Sequence, residues 1–192
     1  MKDIIQKILA IYPANTEWDV ERTARAKILL PEILEKVDGD ILEIGAHCGT
    51  STQVFCEIAQ KFGRKVHVID PWDGRQEGSG EVYNVFMANT NRFSNCIVHK
   101  YGSETTEAIN AVKDIKFAFI LIDGLHGYDS VVNDFTKYSS LINTDGVICI
   151  DDWTGPYTFC ELIRRAITDN LNQDYCLVDS PNTLIERYIV RL

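Results

Sequence analysis

Ile41-Leu-Glu-Ile-Gly-Ala-His-Cys-Gly-Thr-Ser-Thr52 runs from a short apolar strand through two glycines into three hydroxyl residues. An amphipathic segment follows, with Val54, Phe55, Ile58 and Ala59 on one helical face. Strand, tight turn and helix start, in that order, are what an open α/β sheet uses to hold a nucleotide-like ligand. Gly45 and Gly49 allow positive φ and close backbone approach. Thr50, Ser51 or Thr52 can cap the helix whose N–H groups then face the ligand. A dinucleotide fingerprint places glycines two and five positions after the first. After Gly45 those positions hold His47 and Thr50, so that pattern fails. What stands here is Glu-x-Gly-x-x-x-Gly at Glu43, Gly45 and Gly49, with Asp70 closing the next strand.

Outward from this stretch the chain alternates strand and helix. Strands are expected at about 41–45, 66–70, 96–100, 117–122 and 147–151, with helices near 51–62, 81–92, 104–113 and 128–142. Phe117-Ala-Phe-Ile-Leu-Ile122 is apolar throughout, as a strand covered on both faces should be. Such alternation implies right-handed βαβ units and a parallel sheet. After a helix near 157–171 come two strand-like runs, about 174–179 and 183–191, joined through Ser180-Pro181-Asn182. So short a link makes them antiparallel neighbours. Before the first strand lie helices at 2–12 and about 19–37, the second interrupted or bent at Pro31.

At 192 residues the chain reads as one domain, with 1–38 a helical cap and 39–192 an α/β core. A net charge of −9, with no Lys/Arg cluster, argues against nucleic acid or an anionic membrane surface as partner. The six cysteines show no Cys-x-x-Cys pair and no zinc spacing. The N-terminus lacks the pattern of a signal peptide, and no apolar run approaches membrane-spanning length. These features point to a cytoplasmic location.

The glycine turn, the Asp70 strand end and the antiparallel terminus together resemble the class I S-adenosylmethionine-dependent methyltransferases. The resemblance implies a Rossmann-like, doubly wound, mostly parallel seven-stranded sheet in the order 3-2-1-4-5-7-6. It also implies a cofactor site of Glu43, Gly45, Gly49, Thr50, Ser51, Asp70, Trp72, Gly102, Ser103 and Asp123. Asp70 would accept from ribose hydroxyls, and Gly102 and Ser103 would meet the adenine ring. Trp72 either packs on the cofactor or belongs to the core, and Ser103 is also an ordinary N-cap candidate.

Two further runs carry the remaining chemistry, Ile120-Leu-Ile-Asp-Gly-Leu-His-Gly-Tyr-Asp129 and Val147-Ile-Cys-Ile-Asp-Asp-Trp153. In the first, Asp123 closes a fully apolar strand and His126 follows three residues later in the loop. In the second, Asp151 and Asp152 end the fifth strand. In the methyltransferase strand order these acids converge, and three carboxylates at one rim repel unless a cation neutralises them. Hard oxygen ligands suit Mg²⁺. Here the chain resembles the metal-dependent O-methyltransferases, both the catechol type and the branch acting on sugars and other natural-product hydroxyls. That resemblance implies Asp123, Asp151 and Asp152 as metal ligands. It implies His126 in the place of a catalytic Lys, either as general base, as metal ligand or as a group that orients substrate.

The expected function is therefore Mg²⁺-dependent O-methylation of a small-molecule hydroxyl by S-adenosylmethionine. Two alternatives stand beside it: a metal-independent methyltransferase using His126 alone, and a non-catalytic S-adenosylmethionine-binding module. A homodimer through the N-terminal helices is compatible with the sequence. Tyr12, Trp18, Tyr83, Phe86 and Trp153 either line an acceptor pocket or pack. His47, His67 and His99 show no ligand partner in the sequence, Cys48 reads as a packing residue, and Asp134 and Tyr138 read as a surface or helix-packing pair.

Overall fold

The computed structural model describes residues 1–11, 18–74, 79–179 and 186–192. In chain order its elements are α1 (Lys2–Ile11), α2 (Trp18–Lys36), β1 (Asp40–Ile44), α3 (Thr50–Lys61), β2 (Val66–Ile69), α4 (Ser79–Thr90) and β3 (Cys96–His99). Then follow α5 (Thr106–Val112), β4 (Phe117–Ile122), α6 (Tyr128–Tyr138), a 3-10 turn (Ser139–Leu141), β5 (Ile142–Ile150), α7 (Thr158–Asn170), β6 (Tyr175–Leu177) and β7 (Arg187–Arg191). Tyr12 and the Ser180-Pro181-Asn182 link lie outside the described residues, as does the side chain of Trp18.

The strands form one seven-stranded sheet in the order β3-β2-β1-β4-β5-β7-β6. β3, β2, β1, β4 and β5 run parallel, whereas β7 is antiparallel to both β5 and β6. The expected sheet is the observed one, antiparallel end included. The chain builds outward from β1 to β3, then returns to place β4 on the other side of β1. That reversal opens a crevice at the carboxyl ends of β1 and β4, where open α/β sheets bind ligands.

β4 is buried at every position, Phe117 through Ile122, because helices cover both sheet faces. One face packs Leu30, Ile33, Phe55, Phe119 and Val68 together, and the other packs Leu42, Ile120, Phe135, Ile148 and Ile163. α2 supplies Leu29, Leu30, Ile33 and Leu34 to the first of these layers, and Val37 follows directly after it. α2 thus packs on the sheet through the described side chains of its second half. It also runs continuously through Pro31, where the sequence predicts a bend or an interruption. The apolar burial on either side of Pro31 outweighs the lost backbone hydrogen bond.

β5 begins at Ile142, ahead of the apolar run that predicts it. Ile142 pairs with Phe117 and Val147 with Phe119, so the intervening Asn-Thr-Asp-Gly residues loop out of register. Asp145 sits there at φ 62°, the conformation of a turn inside a strand.

The sheet also joins two histidines that look isolated in the sequence. His67 Nδ1 lies 3.1 Å from His99 Nε2 with the rings stacked, and His67 Nε2 lies 3.3 Å from Asp40 Oδ2. Parallel pairing of β2 with β3, Ile69 opposite His99, brings the two rings to one face. Burial pushes both imidazoles below their ordinary pKa, and for His99 the neighbouring His67 adds to the effect. A folded pKa below the unfolded one gives stability that is complete above about pH 6.5 and is lost as pH falls toward the folded values. A His67→Gln/His99→Gln variant should therefore lose less stability between pH 7 and pH 5 than the parent chain. Urea unfolding at the two pH values measures this, and equal losses would count against it.

Candidate active site

Three backbone ladders extend one residue past their strands and stitch the crevice together. Gly45 N–H donates to Ile69 O at 2.9 Å, Asp123 N–H to Ile44 O at 2.9 Å, and Asp151 N–H to Ile122 O at 3.1 Å. Gly45 has φ 82°, and a Cβ on it would lie 2.0 Å from the Asp123 carbonyl oxygen. Only glycine lets the β1 turn lie flush against the end of β4. Gly49 answers to a different neighbour, because a Cβ there would stand 2.9 Å from the Phe86 ring on α4.

The hydroxyls after Gly49 do not cap α3. Gly49 itself is the N-cap, in the left-handed conformation and without a side-chain cap. Ser51 and Thr52 instead donate to Glu43, one to each carboxylate oxygen, at 2.5 Å. Glu43 is fully buried, so a carboxylate in this setting needs donors, and the first turn of α3 supplies them. Glu43 and Ser51 thus form the base of the glycine turn, and Thr50 lies beside Cys48, with Oγ1 3.4 Å from its sulfur.

Asp70 organises the wall opposite. Its Oδ2 accepts from the Ala46 and His47 N–H groups at 2.9 and 3.0 Å, and its Oδ1 accepts from Trp72 N–H at 2.9 Å. A carboxylate has about four acceptor positions. Three are spent on the loops, which leaves room for one further donor. Trp72 packs against Tyr83 and Phe86 and donates its ring N–H to His47 O at 2.8 Å. It belongs to the core and to the pocket wall together.

Between these walls lies a cleft of about 590 Å³ lined by Gly45, His47, Asp70, Trp72, Gly102 and Ser103, with Gly124 and Leu125 from the loop after β4. The cleft brings together Gly45, Asp70, Trp72, Gly102 and Ser103 of the expected set. Glu43 and Ser51 stand beneath it. His47, which the sequence marks only as a loop residue, is on the wall. Ser103 is not a helix cap: Thr105 caps α5 by accepting from Ala108 N–H at 3.2 Å.

At the rim, Asp123, His126 and Asp152 each offer a ligand atom, all within 4.8 Å of one another. His126 Nε2 is 3.2 Å from Asp152 Oδ2 and 3.9 Å from Asp123 Oδ1. The neighbouring Asp123 carboxylate raises the imidazole pKa above its ordinary value against the opposing effect of burial, and the Asp152 charge adds to the rise. Asp151, expected as the third acid, is not a member of this group. Its N–H continues the β5 ladder, and neighbouring side chains on an extended strand point to opposite faces. Asp152 then turns at φ 52°. Trp72 and His47 also have positive φ, at 44° and 48°. Strained backbone of this kind clusters at functional sites.

His126 also stacks on Phe159, and Phe159 on Tyr157, with ring centroids 4.8 and 5.1 Å apart. Tyr157 is half exposed.

Comparison with known proteins agrees with this geometry. Residues 42–153, more than half of the chain, match the family model described as a methyltransferase domain. An uncharacterized protein, y4gI, of Sinorhizobium fredii is 27% identical over 120 residues, which is 58% of this chain and 13% of that protein. The chain thus spans about an eighth of the length of this curated relative. The calicheamicin methyltransferase CalS11 superposes with a TM-score of 0.70 at 14% identity, over 99% of this chain and 90% of its own. The O-methyltransferase from Bacillus cereus gives 0.66 at 15% identity, over 98% and 91%. NovP gives 0.64 at 17% identity, over 88% and 79%. No helix among the described residues is long and apolar enough to cross a membrane. The chain belongs to the methyltransferase-domain family, and its sheet has the fold of these solved methyltransferases.

Proposed function

We propose that the chain transfers a methyl group from S-adenosylmethionine to a hydroxyl of a small molecule, with Mg²⁺ on Asp123 and Asp152 and with His126 as the proton acceptor. The observation that carries this reading is the cluster of Asp123, His126 and Asp152 at the rim of the cleft. When bound, the cofactor supplies an electrophilic methyl, so the chain has mainly to position the reactants. A divalent cation offsets the repulsion between two carboxylates and acidifies a coordinated hydroxyl. Gly45, Asp70 and Trp72 form the walls for the cofactor, with Gly102 and Ser103 at its nucleobase end. Asp123 closes the site toward the reaction. CalS11 is described as a TDP-rhamnose 3'-O-methyltransferase, and the Bacillus cereus enzyme was solved with S-adenosylhomocysteine. The net charge of −9 favours a small acceptor over nucleic acid. Six free thiols fit a reducing, cytoplasmic setting.

A second reading makes His126 a third ligand, which its 3.2 Å approach to Asp152 also accommodates. Mn²⁺ serves as a spin probe for both. One bound Mn²⁺ per chain, and transfer to a panel of sugar and phenolic hydroxyls that stops with chelator and returns with Mg²⁺, are the expected results. Nitrogen coupling to the bound Mn²⁺ would select the second reading. No Mn²⁺ binding together with chelator-insensitive transfer would contradict the cation assignment.

A further inference from the structure

We propose that Phe159, on the first turn of α7, is a positioning residue of the methyl transfer, holding the His126 imidazole in the orientation in which Nε2 faces Asp152. This inference rests on the reading of His126 as the proton acceptor. His126 lies in Asp123-Gly-Leu-His-Gly127, where glycines flank the Leu-His pair. Its side chain is 33% exposed, so burial alone does not select one rotamer. The ring edge meets Asp152 Oδ2 at 3.2 Å and Asp123 Oδ1 at 3.9 Å. Those carboxylates are also the proposed cation ligands, and oxygens engaged by a cation are lost to the imidazole. The contact that does not compete is on the ring face. Phe159 stacks there, with 4.8 Å between centroids and 30° between planes, a separation typical of attractive aromatic pairs. A face contact fixes the ring plane and leaves the edge nitrogens for proton transfer.

α7 is placed to set that plane because it is anchored on both sides of the rim. Cys160, Ile163, Ala166 and Ile167 are its buried residues, and Phe159 packs partly against the core beside them. Arg164 Nη1 donates to Trp153 O at 2.8 Å, which ties the helix to the residue after Asp152. Tyr128 OH donates to Asp169 Oδ2 at 3.0 Å, and the Arg165 guanidinium lies 5.8 Å over the Tyr128 ring. These contacts tie the helix to the chain two residues beyond His126. α7 supplies no member of the Asp123, His126 and Asp152 cluster, yet it holds the segments that carry two of the three. Tyr157 continues the stack, 5.1 Å from Phe159 with planes 10° apart. Phe159 therefore stands in a run of three stacked rings that ends on the imidazole.

The test compares the full chain with Phe159→Leu, Phe159→Tyr, His126→Ala and the Phe159→Leu/His126→Ala pair. Leu keeps apolar bulk and removes the flat ring. With the sugar or phenol that the parent methylates fastest, Phe159→Leu should lower kcat about ten-fold, as a misplaced catalytic group does. KM for that acceptor and the affinity for S-adenosylhomocysteine should stay within about two-fold of the parent. Phe159→Tyr should restore kcat to within about two-fold, because it restores the stacking ring. In the His126→Ala background, Phe159→Leu should have no further effect, since it acts through the imidazole. A proton magnetic resonance spectrum reads the orientation without turnover. The His126 ring signals, identified by their loss in His126→Ala, should be displaced by the Phe159 ring current in the parent and should move back in Phe159→Leu. The parent displacement should persist when Mg²⁺ is added. Parent-like kcat in Phe159→Leu, an equal loss in the His126→Ala background, or an undisplaced parent signal would overturn the inference. If Phe159→Leu does not fold, Phe159→Met takes its place with the same outcomes. Parent-like kcat in His126→Ala, or no transfer by the parent chain, would instead overturn the proposed function on which this rests.

Discussion

Asp152→Ala is expected to lower methyl-transfer turnover by about a hundred- to a thousand-fold, the several kcal/mol that a catalytic cation contributes. Asp152 is one of the two carboxylates proposed to hold the cation, and its oxygen is also 3.2 Å from His126. Its removal leaves Asp123 as the single acid in the cluster and takes a partner from the imidazole. Asp152→Asn is the informative companion. An Asn keeps one ligand oxygen and tolerates the φ of 52° at this position, so it should retain a substantial part of the turnover. Cofactor affinity should stay within about two-fold in both variants, because Asp152 does not line the cleft. Initial rates with and without added Mg²⁺, beside a binding titration, measure both quantities. Parent-like turnover in Asp152→Ala would remove the cation from the mechanism.

Glu186→Ala should destabilise the fold by about 3–5 kcal/mol, the range found when one partner of a buried ion pair is removed. Glu186 on the edge of β7 is 1% exposed and Arg25 on α2 is 3% exposed. The Arg25 guanidinium grips both carboxylate oxygens, one contact at 2.8 Å, and Tyr188 OH donates to Oε1 at 3.0 Å. This pair joins α2 to the antiparallel end of the sheet across 161 positions of sequence. With Glu186 shortened, the Arg25 charge stays buried without its carboxylate, and the melting temperature should fall by about 10 °C. The apolar pair Arg25→Met/Glu186→Leu should recover most of that loss, because neither charge is then left uncompensated. A single variant as stable as the parent, or a double variant less stable than the single, would contradict this assignment.

The sheet was legible because its signals are local and repeated. Apolar runs such as Phe117 to Ile122, separated by helical periods, specify parallel strands wherever they occur in the chain, and the Gly45 turn marks the switch point. What the sequence hid depends on partners far apart in the chain. Ser51 and Thr52 look like caps, since capping is their usual use, and only the position of Glu43 under the turn explains why they bond elsewhere. His67 and His99 are 32 residues apart and become a stacked pair only through the β2–β3 register. Asp134 and Tyr138 have the spacing of a surface pair, yet the return of the chain between β3 and α5 buries both. At the rim the doublet of acids was readable. Which of its two members faces Asp123 was not, because that depends on the turn at Asp152.

The most direct measurement is calorimetric titration of the purified, nucleotide-free chain with S-adenosylhomocysteine, with NAD run alongside. Micromolar binding of S-adenosylhomocysteine at one site per chain, with no heat from NAD, is the expected result. No binding of S-adenosylhomocysteine, or a clear signal from NAD, would contradict the assignment of the cleft between Gly45, Asp70 and Ser103 to the methyl donor.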